Sequence, residues 1–194
     1  MHLRTLGHHR GNIRRLARGT RLVCRPYVAR WCDDFEDPTP AVRRSAWALA
    51  QQPIPDFVLW VPGHDGTPGP GHYLAQALAD LWRVPAIDLL ERTEELPSAH
   101  NAVQRPTVDE VQQSLRVTKH VSGHGVLIDN VIASGASSAG AIRLLTEANI
   151  AIAAVGCVSV DLDAGSSRFI QRRGKTWDFN PFSAECPRGD LRHG

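Results

Sequence analysis

Apolar residues along this chain fall into short runs, separated by amphipathic segments and by loops rich in proline and glycine. The runs predict buried strands, and the segments between them carry apolar positions at helical spacing. The predicted strands lie within 57–61, 84–90, 126–128 and 150–160, and the predicted helices within 41–50, 72–82 and 138–148. Strands that alternate with helices predict an α/β fold with a parallel sheet, right-handed crossovers and helices on both faces.

Residues 126–137 carry the most informative pattern in the chain. A buried-strand signal is followed at once by Asp129 and Asn130, whose side chains can bind hydroxyl groups. A loop of small residues comes next, and a helix follows it. The loop consists of Ala133, Ser134, Gly135, Ala136 and Ser137. Small residues let backbone N–H groups approach a phosphate, and the helix N-terminus behind them favours negative charge. This pattern indicates a site for a phosphorylated ribose.

The same stretch resembles the phosphoribosyl-diphosphate (PRPP) binding motif of the type I phosphoribosyltransferases. That motif runs from apolar residues through two acids and two apolar residues to a small residue, Thr, Gly, any residue and Thr. Ser134 and Ser137 stand in the threonine positions and keep the hydroxyl groups, whereas Asn130 replaces the second acid and removes one negative charge. The resemblance implies a type I phosphoribosyltransferase fold, with the closest likeness to the competence-associated branch.

The resemblance also implies roles for these residues. Asp129, assisted by Asn130, would hold the ribose hydroxyls as part of the catalytic site. Asp129 would also be the protein ligand of a Mg²⁺ cofactor. The five residues of the small-residue loop would bind the 5′-phosphate.

Two further loops leave the same edge of the predicted sheet, where ligands of parallel α/β sheets bind. In the first, Gly63, His64 and Asp65 are candidates to bind pyrophosphate, because glycine allows close backbone approach. A simple surface turn is the alternative for that loop. In the second, Arg92 and Arg105 resemble the arginines of the mobile loop in the competence-associated branch, where they would clamp pyrophosphate as it leaves.

The C-terminal segment is predicted to form a tail or hood over the bound base. Trp177 is the main candidate to stack on that base, together with Phe179 and Phe182. The alternative is that these aromatic side chains pin the tail to the core or to a second subunit. Ala133 matches adenine-type members of the family and gives no support to a guanine or hypoxanthine substrate.

The predicted activity is Mg²⁺-dependent transfer of phosphoribose from PRPP to a nitrogenous, nucleobase-like acceptor, with release of pyrophosphate. The alternative is a phosphoribosyltransferase-like domain that binds PRPP or a nucleotide as a sensor without turnover. Asn130 favours the sensor somewhat, whereas Asp129, Gly135 and the arginines favour the enzyme. A weaker third hypothesis is a nucleic-acid-associated protein that uses the N-terminal arginines.

Length and composition agree with one α/β core. The chain has 194 residues, of which 42% are hydrophobic and 22% charged, which is typical of globular proteins. No apolar run reaches the length of a membrane span, and the N-terminus lacks the apolar stretch of a secretory signal. The four cysteines are widely spaced, which argues against a disulfide scaffold or a standard zinc site. We therefore expect a cytoplasmic protein.

Charge is distributed unevenly along the chain. Residues 1–30 contain eight arginines and no acid, although the net charge of the whole chain is only +2. We interpret residues 1–40 as an Arg-rich N-terminal arm and linker, 41–165 as the core, and 166–194 as the C-terminal tail or hood. The arm could contact nucleic acid, an acidic partner or a second subunit in a homodimer. A solvated segment is the favoured interpretation.

Overall fold

The computed structural model describes residues 1–5, 8–9, 54–97, 105–157, 159–161, 169–173 and 176–182. The helices in these ranges are α1 (Gly69–Trp82), α2 (Val108–Gln113) and α3 (Ala136–Glu147). The strands are β1 (His2–Thr5), β2 (His8–His9), β3 (Phe57–Trp60), β4 (Leu90–Arg92), β5 (Leu115–Val117), β6 (His124–Ile128), β7 (Val131–Ile132), β8 (Ala151–Cys157), β9 (Ser159–Asp161), β10 (Ile170–Arg173) and β11 (Thr176–Phe179).

The main sheet has six strands in the order β10-β11-β1-β8-β6-β3. Four adjacent strands of this sheet, β1, β8, β6 and β3, run parallel to one another. Strand β11 is antiparallel both to β1 and to β10, so a hairpin closes one side of the sheet. The predicted α/β class with a parallel sheet is therefore confirmed, with an antiparallel hairpin added at one edge.

Helices cover both faces of this sheet, as predicted. Side chains alternate between the two faces along a strand, and β6 illustrates the consequence. Val126 and Ile128 pack in one apolar cluster with α1, whereas Leu127 packs in a second cluster with α2 and α3. A strand buried on both faces has no polar positions, which is why the sequence shows an unbroken apolar run there.

Three central strands are interrupted at their carboxyl ends and then continue. Strands β1, β8 and β6 are followed within a few residues by β2, β9 and β7, which form a small parallel sheet in the corresponding order β2-β9-β7. The break between β6 and β7 consists of Asp129 and Asn130. The polar pair thus lies where the main sheet ends and the small sheet begins.

The prediction of a strand across 84–90 was wrong for most of that segment. The chain runs beside β3, with a hydrogen bond from Val58 N–H to the Pro85 carbonyl and one from Ile87 N–H to the Val58 carbonyl. Pro85 has no N–H to continue a ladder, so only one bridge forms, between Val58 and Ala86. Strand formation starts later, at β4, which pairs antiparallel with β5 outside the main sheet.

The two ends of the chain also take part in the sheet. Strand β1, inside the predicted arm, lies between β8 and β11, and β10 and β11 belong to the predicted tail. Of the eight N-terminal arginines only Arg4 lies on a described element, and the rest fall outside the described residues. The predicted helix at 41–50 and residues 183–194 also fall outside them. The division into arm, core and tail stays a prediction.

Among the residues that the structure describes, no helix is both long enough and apolar enough to span a bilayer.

Candidate active site

Asp129 is held in place by one hydrogen bond through its main chain and one through its side chain. Its own N–H donates to the Gly156 carbonyl of the neighbouring strand β8 at 2.9 Å. Its carboxylate Oδ2 accepts a hydrogen bond from the Ser138 hydroxyl of α3 at 2.7 Å. The neighbouring backbone N–H groups of Asn130 and Val131 also favour its charged form. The side chain is partly buried at the edge of the sheet.

Burial dominates the electrostatics of Asp129. Loss of solvation raises the pKa of the carboxyl group from 3.8 to about 6, although the hydrogen bond from Ser138 and the neighbouring N–H groups of Asn130 and Val131 each act to lower it. The group is therefore mainly ionised at neutral pH, in a place where a negative charge is poorly solvated. The charge of such a carboxylate is stabilised when a ligand hydroxyl or a cation approaches it.

The small-residue loop follows directly from this pair. After β7, the chain turns at Gly135, which has a φ of +82°, and α3 begins. The Ser134 hydroxyl accepts a hydrogen bond from Ala136 N–H at 3.3 Å. Within the described residues nothing accepts the N–H groups of Ser137 and Ser138, which belong to the first turn of the helix. Such donors at a helix N-terminus suit a phosphate group.

A phenylalanine from the C-terminal segment supports this loop from behind. A Cβ atom added at Gly135 would lie 2.7 Å from Cδ2 of Phe169, so only glycine fits there. Phe169 is buried and stacks on buried Phe179, with ring centroids 5.9 Å apart. Phe179 is thus a core residue, as the alternative interpretation of the tail aromatics has it, and Phe182 is exposed.

The first loop, residues 61–68, lies beside the pair at the same edge. Val61 N–H donates to the Ile128 carbonyl at 3.0 Å, and a Cβ at Gly71 would be 3.7 Å from Asn130 N. The loop folds on itself, because Asp65 Oδ1 accepts hydrogen bonds from the N–H and hydroxyl groups of Thr67. These bonds lower the pKa of Asp65, so the loop carries an ionised carboxylate as well as exposed glycine backbone.

The Arg92 side chain holds this loop by hydrogen bonds to main-chain carbonyls of the loop. Its Nε donates to the Gly63 carbonyl at 2.6 Å, and Nη2 lies 3.5 Å from the Pro62 carbonyl. Its Nη1 donates to the hydroxyl of buried Ser114, which itself donates to the Val111 carbonyl of α2. Burial lowers the pKa of this guanidinium, and the charge of Asp65 raises it. Arg92 therefore braces the candidate pyrophosphate loop, and its predicted direct contact with pyrophosphate stays a prediction.

Two predicted site residues are not brought to Asp129 by the described contacts. Arg105 is exposed just before α2. Trp177 lies on β11 and pairs with Leu3 of β1. Leu3 pairs in turn with Val155 of β8, and Val155 pairs with Leu127 of β6. The Trp177 backbone is therefore three strand spacings from β6, roughly 14 Å. The Trp177 side chain lies outside the described residues, and its base-stacking role stays a prediction.

Sequence reasoning missed the two serines that support the site. Ser114 and Ser138 are the fully buried polar side chains of the described core. Ser138 left a signal in the sequence, because it occupies the same helical stripe as Ile142 and Leu145, where an apolar residue is expected. Ser114 gave no signal in the sequence, because serine is a common residue at the end of a short helix.

Comparison with solved structures finds adenine phosphoribosyltransferases. The Saccharomyces cerevisiae enzyme, solved with an iminoaltritol bisphosphate and adenine, aligns at 16% identity and a TM-score of 0.44, over 69% of this chain and 76% of its own. The Leishmania donovani enzyme aligns at 16% identity and a TM-score of 0.45, over 69% of this chain and 58% of its own. The Trypanosoma brucei enzyme, solved with AMP, pyrophosphate and ribose-5-phosphate, aligns at 17% identity and a TM-score of 0.45, over 67% of this chain and 57% of its own.

These likenesses are low in both sequence identity and TM-score, and the aligned part is less than two thirds of the Leishmania and Trypanosoma chains. They carry no argument about the activity of this chain, which has to rest on its own residues. No protein-family model and no curated protein matches the chain. The competence-associated branch stays a prediction.

Proposed function

We propose that this protein transfers phosphoribose from PRPP to a nitrogenous base and releases pyrophosphate. The observation that carries the proposal is the position of Asp129 at the break between β6 and β7, next to the Ser134–Ser137 loop and the first turn of α3. A carboxylate for sugar hydroxyls and a set of amides for phosphate lie on one continuous segment. The candidate pyrophosphate loop begins one hydrogen bond away, at Val61.

The residues divide the ligand between them. The N–H groups of Ser137 and Ser138, with the hydroxyls of Ser134 and Ser137, bind the 5′-phosphate, and Asp129 with Asn130 binds the ribose hydroxyls. The backbone of the loop around Gly63 faces the pyrophosphate. During transfer the bond between the anomeric carbon and pyrophosphate oxygen breaks, its electron pair leaves with pyrophosphate, and a base nitrogen bonds to that carbon. Holding both ends of PRPP fixes the carbon for this displacement.

A Mg²⁺ ion is compatible with these residues. Protein-bound Mg²⁺ commonly uses one or two carboxylates and takes other ligands from substrate phosphates and water. Asp129 supplies one carboxylate that is mainly ionised at neutral pH, and Asn130 supplies a neutral amide oxygen. Within the described ranges no three acidic, histidine or cysteine side chains form a metal-binding group. When bound, the ion would neutralise charge on the leaving pyrophosphate.

A second candidate function is a sensor that binds PRPP or a nucleotide without turnover. Asn130 supports it, because an amide in place of the second acid weakens the hold on a cation beside the ribose. Binding of the sugar and phosphate would survive this change, since an amide still bonds to hydroxyl groups. The two candidates therefore share a ligand and differ in whether pyrophosphate is released.

Pyrophosphate release separates the two functions. The full chain is incubated with PRPP, Mg²⁺ and a panel of bases that includes adenine, guanine, hypoxanthine and pyrimidines. The transferase requires release that depends on one base and saturates with PRPP. Saturable PRPP binding with no release for any base would establish the sensor instead, and absence of PRPP binding would refute both.

A matched pair of variants locates the activity. Asp129→Asn should reduce release or PRPP binding at least tenfold, because it removes the charge and keeps the shape. Asp80→Asn makes the same change at an exposed position of α1 and should leave both unchanged. Equal activity of the Asp129→Asn variant and the wild type would place the site elsewhere.

A further inference from the structure

Ser138 is a hydroxyl group in an apolar environment. It lies in the first turn of α3, is fully buried, and shares the core-facing stripe with Ile142 and Leu145. Burying a hydroxyl group is unfavourable unless it forms a hydrogen bond. The Ser138 hydroxyl donates a hydrogen bond to Asp129 Oδ2 at 2.7 Å. The carboxylate is therefore the reason that a serine is stable at this position.

Ser138 fixes the carboxylate from a different element of the fold. Asp129 lies in the break between β6 and β7, and the N–H groups of Asn130 and Val131 belong to the same chain segment and move with it. Ser138 belongs to a 12-residue helix packed against the sheet. The last torsion of an aspartate side chain is otherwise broad. The bond from Ser138 restricts that torsion and sets the plane of the carboxylate before any ligand arrives.

The Ser138 bond also affects which oxygen of Asp129 a ligand can reach. An ionised carboxylate has about four acceptor positions on its two oxygens, and the Ser138 hydroxyl occupies one of them on Oδ2. This leaves Oδ1 for a ligand hydroxyl. The second hydroxyl of a ribose diol then belongs to the Asn130 side chain, which can both donate and accept.

We propose that Ser138 is a positioning residue, which holds Oδ2 of Asp129 and orients the carboxylate so that Oδ1 receives one hydroxyl of a ribose diol. This inference rests on the proposed function, because it needs a phosphorylated ribose at the site. A positioning role predicts different effects on ligands with and without the diol, whereas a general packing role predicts the same effect on both. Loss of the Ser138 hydroxyl should weaken ligands that carry the diol and leave phosphate binding unchanged.

The test compares two ligands on the full chain by titration calorimetry. Ribose 5-phosphate reports on the diol together with the phosphate, and inorganic phosphate reports on the phosphate alone. Ser138→Ala should weaken ribose 5-phosphate binding about fivefold or more, and change phosphate binding less than twofold. Ser138→Cys, which has a weak donor of similar size, should give an intermediate loss. Thr146→Val, which removes a hydroxyl from the outer face of the same helix, should change neither affinity.

Each other outcome has a defined meaning. If Ser138→Ala binds ribose 5-phosphate as tightly as the wild type does, the positioning role is wrong and the proposed function stands. Equal weakening of both ligands would show a packing defect and would also overturn the positioning role. If the wild type binds phosphate and gains nothing from the ribose, the proposed function itself fails. Thermal unfolding of each variant confirms that it is folded, and the cysteine variant serves if alanine is not tolerated.

Discussion

At the scale of single residues, the candidate site depends on groups that by themselves lower the stability of the folded chain. Asp129 keeps a charge in a poorly solvated place, and Gly135 adopts a left-handed conformation against a buried ring. Both residues were identified from the sequence, because an acid after an apolar run and a glycine before a helix are local patterns. Ser138 could not be assigned in the same way, since its role depends on a contact that only the fold creates.

The charge of Asp129 predicts a pH-dependent stability in the absence of ligand and divalent cations. Because the folded pKa of about 6 lies above the ordinary 3.8, the folded chain keeps a proton that the unfolded chain has released. The free energy of unfolding therefore falls as pH rises through this window, and the cost persists above it. A difference of about two between these pKa values corresponds to roughly 3 kcal/mol.

Urea unfolding of Asp129→Asn and wild type measures this cost. From pH 4 to pH 7 the difference in free energy of unfolding should move in favour of the variant by up to about 3 kcal/mol. Asp80→Asn, which alters an exposed carboxylate, should show a difference that is flat with pH. A flat difference for Asp129→Asn as well would show that its carboxylate is solvated.

Gly135 predicts a stability loss with two separable causes. In Gly135→Ala, the left-handed backbone costs about 1–2 kcal/mol, and the new Cβ also collides with Phe169 at 2.7 Å. Gly66→Ala has the same φ of +82° but no atom within 4 Å of its Cβ, so it measures the backbone cost alone. Chemical denaturation should therefore show the larger loss for Gly135→Ala. Equal losses would mean that Phe169 moves aside freely.

At the scale of elements, loops of the site are fixed by contacts between segments far apart in the chain. Arg92 joins the loop after β3 to the end of α2 through Ser114. The sequence predicted this arginine as a candidate site residue and placed the loop after β3 at the edge where Asp129 lies. It could not predict that the guanidinium bonds to backbone carbonyls, because a charged residue in a polar segment looks the same whether it faces solvent or protein.

Arg92→Lys should loosen the loop around Gly63. Lysine cannot bond at once to the Gly63 carbonyl and the Ser114 hydroxyl, and hydrogen bonds to charged groups contribute about 1.5–3 kcal/mol each. We expect a loss of about 1–2 kcal/mol in urea unfolding and weaker binding of pyrophosphate.

Arg116→Lys is the matched control, because Arg116 lies on β5, is 62% exposed and pairs with Glu91. Its change in stability should stay within about 0.5 kcal/mol. If the two variants lose the same free energy, the bonds of Arg92 do not stabilise the loop.

Gly140 determines how closely α2 packs on α3. A Cβ at this position would lie 2.8 Å from Cγ1 of Val111 and 2.9 Å from the backbone of Val108 and Gln112. Alanine is favoured over glycine in a helix by roughly 0.5–1 kcal/mol, so an open site would gain stability. We expect Gly140→Ala to lose stability instead, as measured by thermal unfolding. A rise in the melting temperature would show that the two helices have room to separate.

At the scale of the whole molecule, the alternation of apolar runs and amphipathic segments was sufficient to predict a parallel α/β sheet covered on both faces. It did not predict that residues 2–5 and the hairpin of β10 and β11 join this sheet. Those pairings link the two ends of the chain, and short strands with mixed composition carry no local signal of a distant partner. The consequence for the candidate site is that the C-terminal segment supports the small-residue loop through Phe169.

A crystal structure of the full chain with bound PRPP tests the central claim most directly. We expect the 5′-phosphate within hydrogen-bonding distance of the Ser137 and Ser138 N–H groups, and one ribose hydroxyl on the Asp129 carboxylate. The pyrophosphate should lie against the loop around Gly63. A PRPP molecule bound elsewhere, or one at this edge that leaves Asp129 bonded to Ser138 without touching the ribose, would contradict the account.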